Sequence, residues 1–146
     1  MPFNFSGDFT VTKNRGEVFD FLTDPKRFGP LLPDFQSVTE DGRGRWTLKI
    51  NIGVGHIRGT ASVRLILAGQ YRPEHAEYIG QGQFAGGSVN LTAGFDLAEA
   101  NPGTKVSWKG EAQVFGALAS LAGGLLEPMV QKNLQTVIDG LKKALG

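Results

Sequence analysis

The stretch KVSWKGEAQVFGALASLAGGLLEPMVQKNLQTVIDGLKKALG, residues 105–146, changes its apolar period partway along, and that change decides the fold. Val106, Trp108, Gly110, Ala112 and Val114 alternate with Ser107, Lys109, Glu111 and Gln113. This is the period of two expected of a half-buried strand. After Phe115, Leu118, Leu121, Ala122, Leu125 and Met129 recur at intervals of three and four, and so do Leu126, Val130, Leu134, Val137, Leu141 and Leu145. That spacing predicts a long amphipathic helix, with Lys142 and Lys143 near its end, where cations suit the macrodipole. From 117 to 144 it would span roughly 40 Å at 1.5 Å per residue. Pro128 clashes with the carbonyl of residue 124, so a bend is expected near Gly123 and Gly124.

Upstream, alternation dominates. Phe3, Phe5, Gly7, Phe9 and Val11 alternate with polar residues as a first strand. NRGEVFDFLTD follows, a short helix with Asn14 as N-cap and Val18, Phe19 and Leu22 on one side. Asp24-Pro25 stops it, and KRFGPLLPDF reads as a second helical turn and a stiff loop. From Phe35 the chain runs as strands: TLKINI, HIRGTASVRLILAG, HAEYIGQGQ, SVNLTAGFDL and KVSWKGEAQV, joined by turns such as EDGRG and ANPGT. The expected class is α+β: a curved antiparallel sheet of about seven strands, two short helices after the first strand, and a C-terminal helix. A sheet with one apolar face must bury it, and the last helix is the only element of matching length.

The 146 residues suffice for one domain, 1–146, with a real core. Fifteen basic and 14 acidic side chains leave a net charge of +1, which gives no strong pull toward nucleic acid. With no cysteine, disulfides, thiolate metal sites and cysteine nucleophiles are excluded. The N-terminus lacks the pattern of a signal peptide, and residues 114–130 fall short of the roughly 20 apolar residues of a membrane span.

EYIGQGQFAGGSVNL, residues 77–91, resembles a phosphate loop but is followed by another alternating segment rather than a helix. Gly80 and Gly82 therefore belong to a strand, with a turn near Phe84–Gly87. They share the inward face with Gly59, Ala61, Ala76, Ala93, Gly110 and Ala112. Eight small residues over four strands leave volume beneath the helix, and an apolar hollow is the usual small-molecule site. The lining favours a lipid-like or isoprenoid ligand over a sugar or nucleotide. Single glycines also serve bends, bulges or close helix approach.

Chemistry-bearing residues are scarce. His56 and His75 fall in turns and are expected to be solvated, so neither a metal site nor a cofactor is expected. No HExxH, GxSxG or Walker loop occurs. Asp96 and Glu111 fall on the outward parity of their strands, as do Arg58 and Arg64. Tyr78 points inward, where its hydroxyl binds a ligand carbonyl or a core partner.

The order of elements resembles the helix-grip fold of the START-like, birch-allergen-like and polyketide-cyclase (SRPBCC) superfamily. FSGDFTVTKNRGEVFDFLTDP, LLPDFQSV, GTASVRLIL, GQGQFAGGSVNLTAGFDL and GTKVSWKGEAQVFGALASLAGGLL together resemble the CoxG family of carbon monoxide dehydrogenase subunits over nearly the whole chain. The resemblance implies a non-catalytic protein associated with molybdenum hydroxylases of the carbon monoxide dehydrogenase type, with their membrane recruitment, and with quinone-like hydrophobic molecules. It implies a cytoplasmic location, with peripheral association at the inner face of the membrane. Members often carry glycine after the loop proline, where this chain has Asp34 after Pro33. Longer members carry a C-terminal extension that can engage a membrane; the sequence here ends at Gly146 and is not expected to anchor directly.

The leading expectation is a binding module whose hydrophobic ligand, quinone- or lipid-like, sits between sheet and last helix. Access would lie near residues 25–35 and the Phe84 turn, with Phe28, Leu31 and Leu32 as lid. The expected lining takes Phe19, Phe28 and Leu31 from the short helices and loop, and Leu48, Ile50, Val63 and Leu65 from the middle strands. Tyr78, Gly80, Gly82 and Phe84 follow, then Leu91, Phe95, Trp108 and Ala112. Leu121, Leu125 and Met129 come from the helix. One alternative is a cyclase- or dehydratase-type enzyme using Tyr78 with Asn51 or Gln113. Another is an interaction or maturation subunit with an incidental pocket.

Overall fold

The computed structural model describes residues 2–54, 57–84 and 86–146, without side chains at 54, 57, 117, 118 and 120–123. Strand β1 (Pro2–Val11) is followed by helices α1 (Arg15–Leu22) and α2 (Pro25–Phe28) and a 3-10 turn (Gly29–Leu31). Then come β2 (Phe35–Gly42), β3 (Arg45–Val54), β4 (Ile57–Tyr71), β5 (His75–Phe84), β6 (Gly87–Glu99) and β7 (Thr104–Gly116), and helix α3 (Ala117–Leu145). The seven strands form one antiparallel sheet in the order β1-β7-β6-β5-β4-β3-β2. Sequential hairpins build six strands in a meander, and β1 returns to pair along β7, bringing Phe5 opposite Gly110 and Phe9 opposite Val106.

Local chemistry sets the boundaries. The Asn14 side chain accepts the Glu17 amide at 2.9 Å, capping α1. Asp24 does the same for α2, accepting from the Lys26 amide at 3.1 Å, with Pro25 at the first helical position. Asp34, where the family resemblance expects glycine, sits at φ 56° and its carbonyl accepts from the Asn51 amide at 3.0 Å. That left-handed backbone suits glycine and is tolerated by aspartate better than by bulkier residues. Gly80 and Gly82 lie within β5, as the alternation requires, and Phe84 pairs with Gly87 across the following turn.

α3 lies against the inward face and runs as one helix from Ala117 to Leu145 with Pro128 inside it. Its far end is tied to the loop after β1: the Lys13 amide donates to the Leu145 carbonyl at 3.0 Å. The fully buried Thr104 hydroxyl donates to the Lys13 carbonyl at 2.8 Å. Around this tie the core is closed: Phe9, Val11, Val18, Phe19, Phe95, Leu97, Val106, Leu141 and Leu145 form one buried cluster. A second cluster gathers Trp46, Leu48, Leu65 and Tyr78, and a third gathers Phe3, Ala61, Phe84, Val114 and Leu126 toward the start of α3.

Candidate functional site

Space remains under α3 between and within these clusters. A chamber of about 310 Å³ lies over β5–β7 and β1, and its surface is almost wholly apolar. Its floor is the cross-strand row Tyr78, Ala93, Gly110 and Phe5, flanked by Phe95 and Trp108. Its roof is Val130, Leu134, Val137, Ile138 and Leu141 of α3, and Phe28 and Leu32 close one side. A second chamber of about 200 Å³ lies nearer the start of the helix, bordered by Ile52, Val63, Gly82, Phe84, Val89 and Val114 below. Leu126 and Met129 stand above it. Phe5, Leu91, Ala112 and Val130 border both spaces.

Small residues make the hollow, but not all of them alike. A Cβ at Gly110 would meet only the Thr92 carbonyl oxygen, at 3.7 Å, so the space above it is open. A Cβ at Gly80 would lie 2.7 Å from Leu91 Cγ and 3.1 Å from Leu65 Cδ2, so this glycine is already covered by two leucines. Gly7 similarly lies under the Trp108 indole, 3.0 Å from where its Cβ would be.

Phe28, Tyr78, Leu91, Phe95, Trp108 and Ala112 of the expected lining border the larger chamber. Val63, Gly82, Phe84 and Met129 border the smaller one. The others lie elsewhere. Phe19 belongs to the closed end, edge-on to Phe95 with ring centres 6.1 Å apart. Leu31 packs against Gly140 instead of covering a chamber. Leu48 and Leu65 are consumed in the cluster around Trp46, and Ile50 sits opposite Phe35 in the β2–β3 ladder. Leu125 is 52% exposed, because the inward helical stripe runs through Leu126, a rotation of about 100° away. The Leu121 side chain and His56 lie outside the described residues.

The lining absent from that expectation is chiefly the helix roof beyond Met129 and the facing strand β1. The 3.6-residue stripe already contained Val130, Leu134, Val137 and Leu141. Phe5 and Phe9 required knowing that β1 closes against β7.

The polar inventory is short. The buried Tyr78 hydroxyl donates to the Leu22 carbonyl at 2.9 Å. Burial, and then the charge of Asp24, hold its phenol well above the usual range, so it is neutral and already committed. Among the described residues the buried Trp108 indole N–H has no hydrogen-bond partner, an arrangement that costs about 1–3 kcal/mol. Lys109 and Glu111 border the larger chamber, but both are exposed and of outward parity. Asn51 and Gln113 are exposed; Asn51 accepts from Gln36 at 2.8 Å and from Thr60 at 3.2 Å, so neither forms a pair with Tyr78.

His75 is not simply solvated, as its turn position suggested. Nδ1 lies 2.8 Å from Asp96 Oδ1 and Nε2 lies 3.1 Å from Glu77 Oε1. The Asp96 hydrogen bond raises its pKa most; partial burial opposes that, and Glu77 adds to it. The cluster borders neither chamber. Among the described residues no group of three or more histidine, cysteine or carboxylate side chains is placed to hold a metal ion. No described helix is long and apolar enough to cross a membrane.

A family model for the CoxG subunit of carbon monoxide dehydrogenase matches residues 7–146. No curated protein matches the chain in sequence. A conserved protein of Geobacillus kaustophilus shares the fold with a TM-score of 0.86 and 19% identity, over 98% of this chain and 95% of that one. A START superfamily protein of Mycobacterium smegmatis aligns with a TM-score of 0.73 and 11% identity, over 97% and 96%. The Zhui aromatase/cyclase of Streptomyces sp. R1128 aligns with a TM-score of 0.70 and 14% identity, over 99% and 94%.

Proposed function

This chain belongs to the CoxG family of carbon monoxide dehydrogenase subunits, and on that premise we propose that it carries an uncharged hydrophobic molecule, quinone- or lipid-like, beneath α3. Residues 1–146 act in this reading as one START-like binding domain. The observation that carries it is the open apolar space above Ala93 and Gly110, roofed by the helix and, among the described residues, bordered by no charged side chain of inward parity. A charged ligand would lose its hydration there without a counter-ion, whereas an apolar one gains from burial. Trp108, whose indole N–H edge lies over Gly7, borders the same space and adds aromatic surface for such a ligand. The family's name makes a carbon monoxide dehydrogenase the partner to test by pull-down.

The test is a fluorescence titration with neutral N-phenyl-1-naphthylamine. Wild type is expected to bind it saturably, and Gly110→Phe, which fills the larger chamber, to weaken binding at least about a hundredfold, the equivalent of some 2.7 kcal/mol. Equal binding by both proteins would refute the chamber as the site.

The likeness to an aromatase/cyclase supports a second reading, catalysis on a chain of ketones in the same space. It needs a group free to move protons, and Tyr78 is committed to Leu22. Incubation with a poly-β-ketone thioester is expected to give no ring closure above the buffer rate; acceleration abolished by Tyr78→Phe would favour the enzyme.

A further inference from the structure

The two chambers are separated along one cross-strand row, Gly80, Leu91 and Ala112. The row on one side, Tyr78, Ala93 and Gly110, floors the larger chamber, and the row on the other, Gly82, Val89 and Val114, floors the smaller. Over β5, β6 and β7 only Leu91 has bulk on the dividing row, which continues to Leu65 beside Gly80 and to Phe3 beside Ala112. Leu91 leans toward Gly80, since a Cβ there would lie 2.7 Å from its Cγ and 2.8 Å from its Cδ1. Its other neighbour, Ala112, is small and borders both spaces, as does Val130 above. The missing side chain at Gly80 gives Leu91 room to lean to one side, and Ala112 is then the low point of the divide, between Leu91 and Phe3.

We propose that Leu91 is the gate between the chambers and sets the length of ligand the protein accepts, a neutral molecule with a single extended apolar chain whose end enters the smaller chamber. This rests on the reading of the hollow as a ligand site. Truncating Leu91 widens the passage. Adding a methyl group at Gly80 pushes Leu91 toward Ala112 and narrows it. The two substitutions act in opposite directions, which general loosening of the fold would not do.

The experiment is displacement of N-phenyl-1-naphthylamine by straight-chain primary alcohols of increasing length, with wild type, Leu91→Ala and Gly80→Ala. Leu91→Val serves as a milder truncation should the alanine variant not fold, and melting curves check each protein. Each added methylene should tighten binding about fourfold while it finds space, and binding should then level off. Leu91→Ala should move the levelling point about three carbons longer and strengthen the longest alcohols by up to about sixtyfold, the equivalent of three buried methylenes. Gly80→Ala should move the levelling point to shorter alcohols. Unchanged length profiles in folded variants that still bind the probe would overturn the gate and leave the ligand site standing. Failure of wild type to bind the probe or any alcohol would overturn both.

Discussion

The closed end of the molecule and its hollow middle are made from the same sheet and the same helix. At the closed end, Val11 and Leu97 from the strands pack with Leu145 and with Phe19 from α1, and Phe9, Phe95, Val106 and Leu141 form the wall where packing gives way to the hollow. One step along the strands, Ala93 and Gly110 rise to meet nothing, and Val137 and Leu134 form a roof over open space. Backbone geometry does not distinguish the two regions. Side-chain bulk on alternate strand positions does, and so does whether a neighbour leans over each small residue. The closed end fixes the spacing of helix and sheet, and the middle uses that fixed spacing to stay open.

Substitutions at the two ends should therefore differ in cost. Phe19→Ala is expected to destabilise by about 3–5 kcal/mol in urea unfolding, the range for emptying a packed aromatic site. Leu134→Ala, whose side chain already borders empty space, should cost less than about 2 kcal/mol, since few packing contacts are lost. Equal costs would break the distinction between packed and hollow regions.

The two floor glycines sharpen it. Gly80→Ala forces a methyl group against Leu91 and Leu65 and should cost about 1–3 kcal/mol. Gly110→Ala meets no such obstacle and should stabilise by about 0.4–1 kcal/mol, by restricting the unfolded chain. Thermal melts of the pair, read against each other, are the check.

The smallest effect concerns the outer His75 cluster. The folded-state pKa is raised above the ordinary 6.5, so its contribution is fully present below that value and is lost as pH rises through the folded pKa. Wild type should exceed His75→Gln in stability at pH 5.5 by slightly more than it does at pH 9. Ligand affinity should not change between them, since the cluster borders neither chamber.

Much of this architecture was legible in the sequence. The switch from a period of two to one of 3.6 near Phe115 defines the sheet, the helix and their contact. Asn14 marked the start of α1 through its short acceptor side chain, and the segment after Gly80 and Gly82 excluded a phosphate loop. The site was less legible, for physical reasons. Gly80 and Gly110 have the same parity and the same side chain; what tells them apart is that Leu91 and Leu65 lean over Gly80. Leu125 and Leu126 are adjacent apolar residues whose faces depend on how α3 is rotated against the sheet. Phe5 borders the larger chamber only because β1 pairs with β7, more than a hundred residues along the chain. Parity and periodicity report one element at a time, and a cavity belongs to several at once.

Xenon settles in apolar cavities, so a crystal structure under xenon pressure reads out the hollow itself. Xenon is expected beneath α3, against Ala93 and Gly110, in wild type and is expected to be absent there in Gly110→Phe. Wild-type crystals with no xenon under the helix, and protein side chains filling that space, would contradict it.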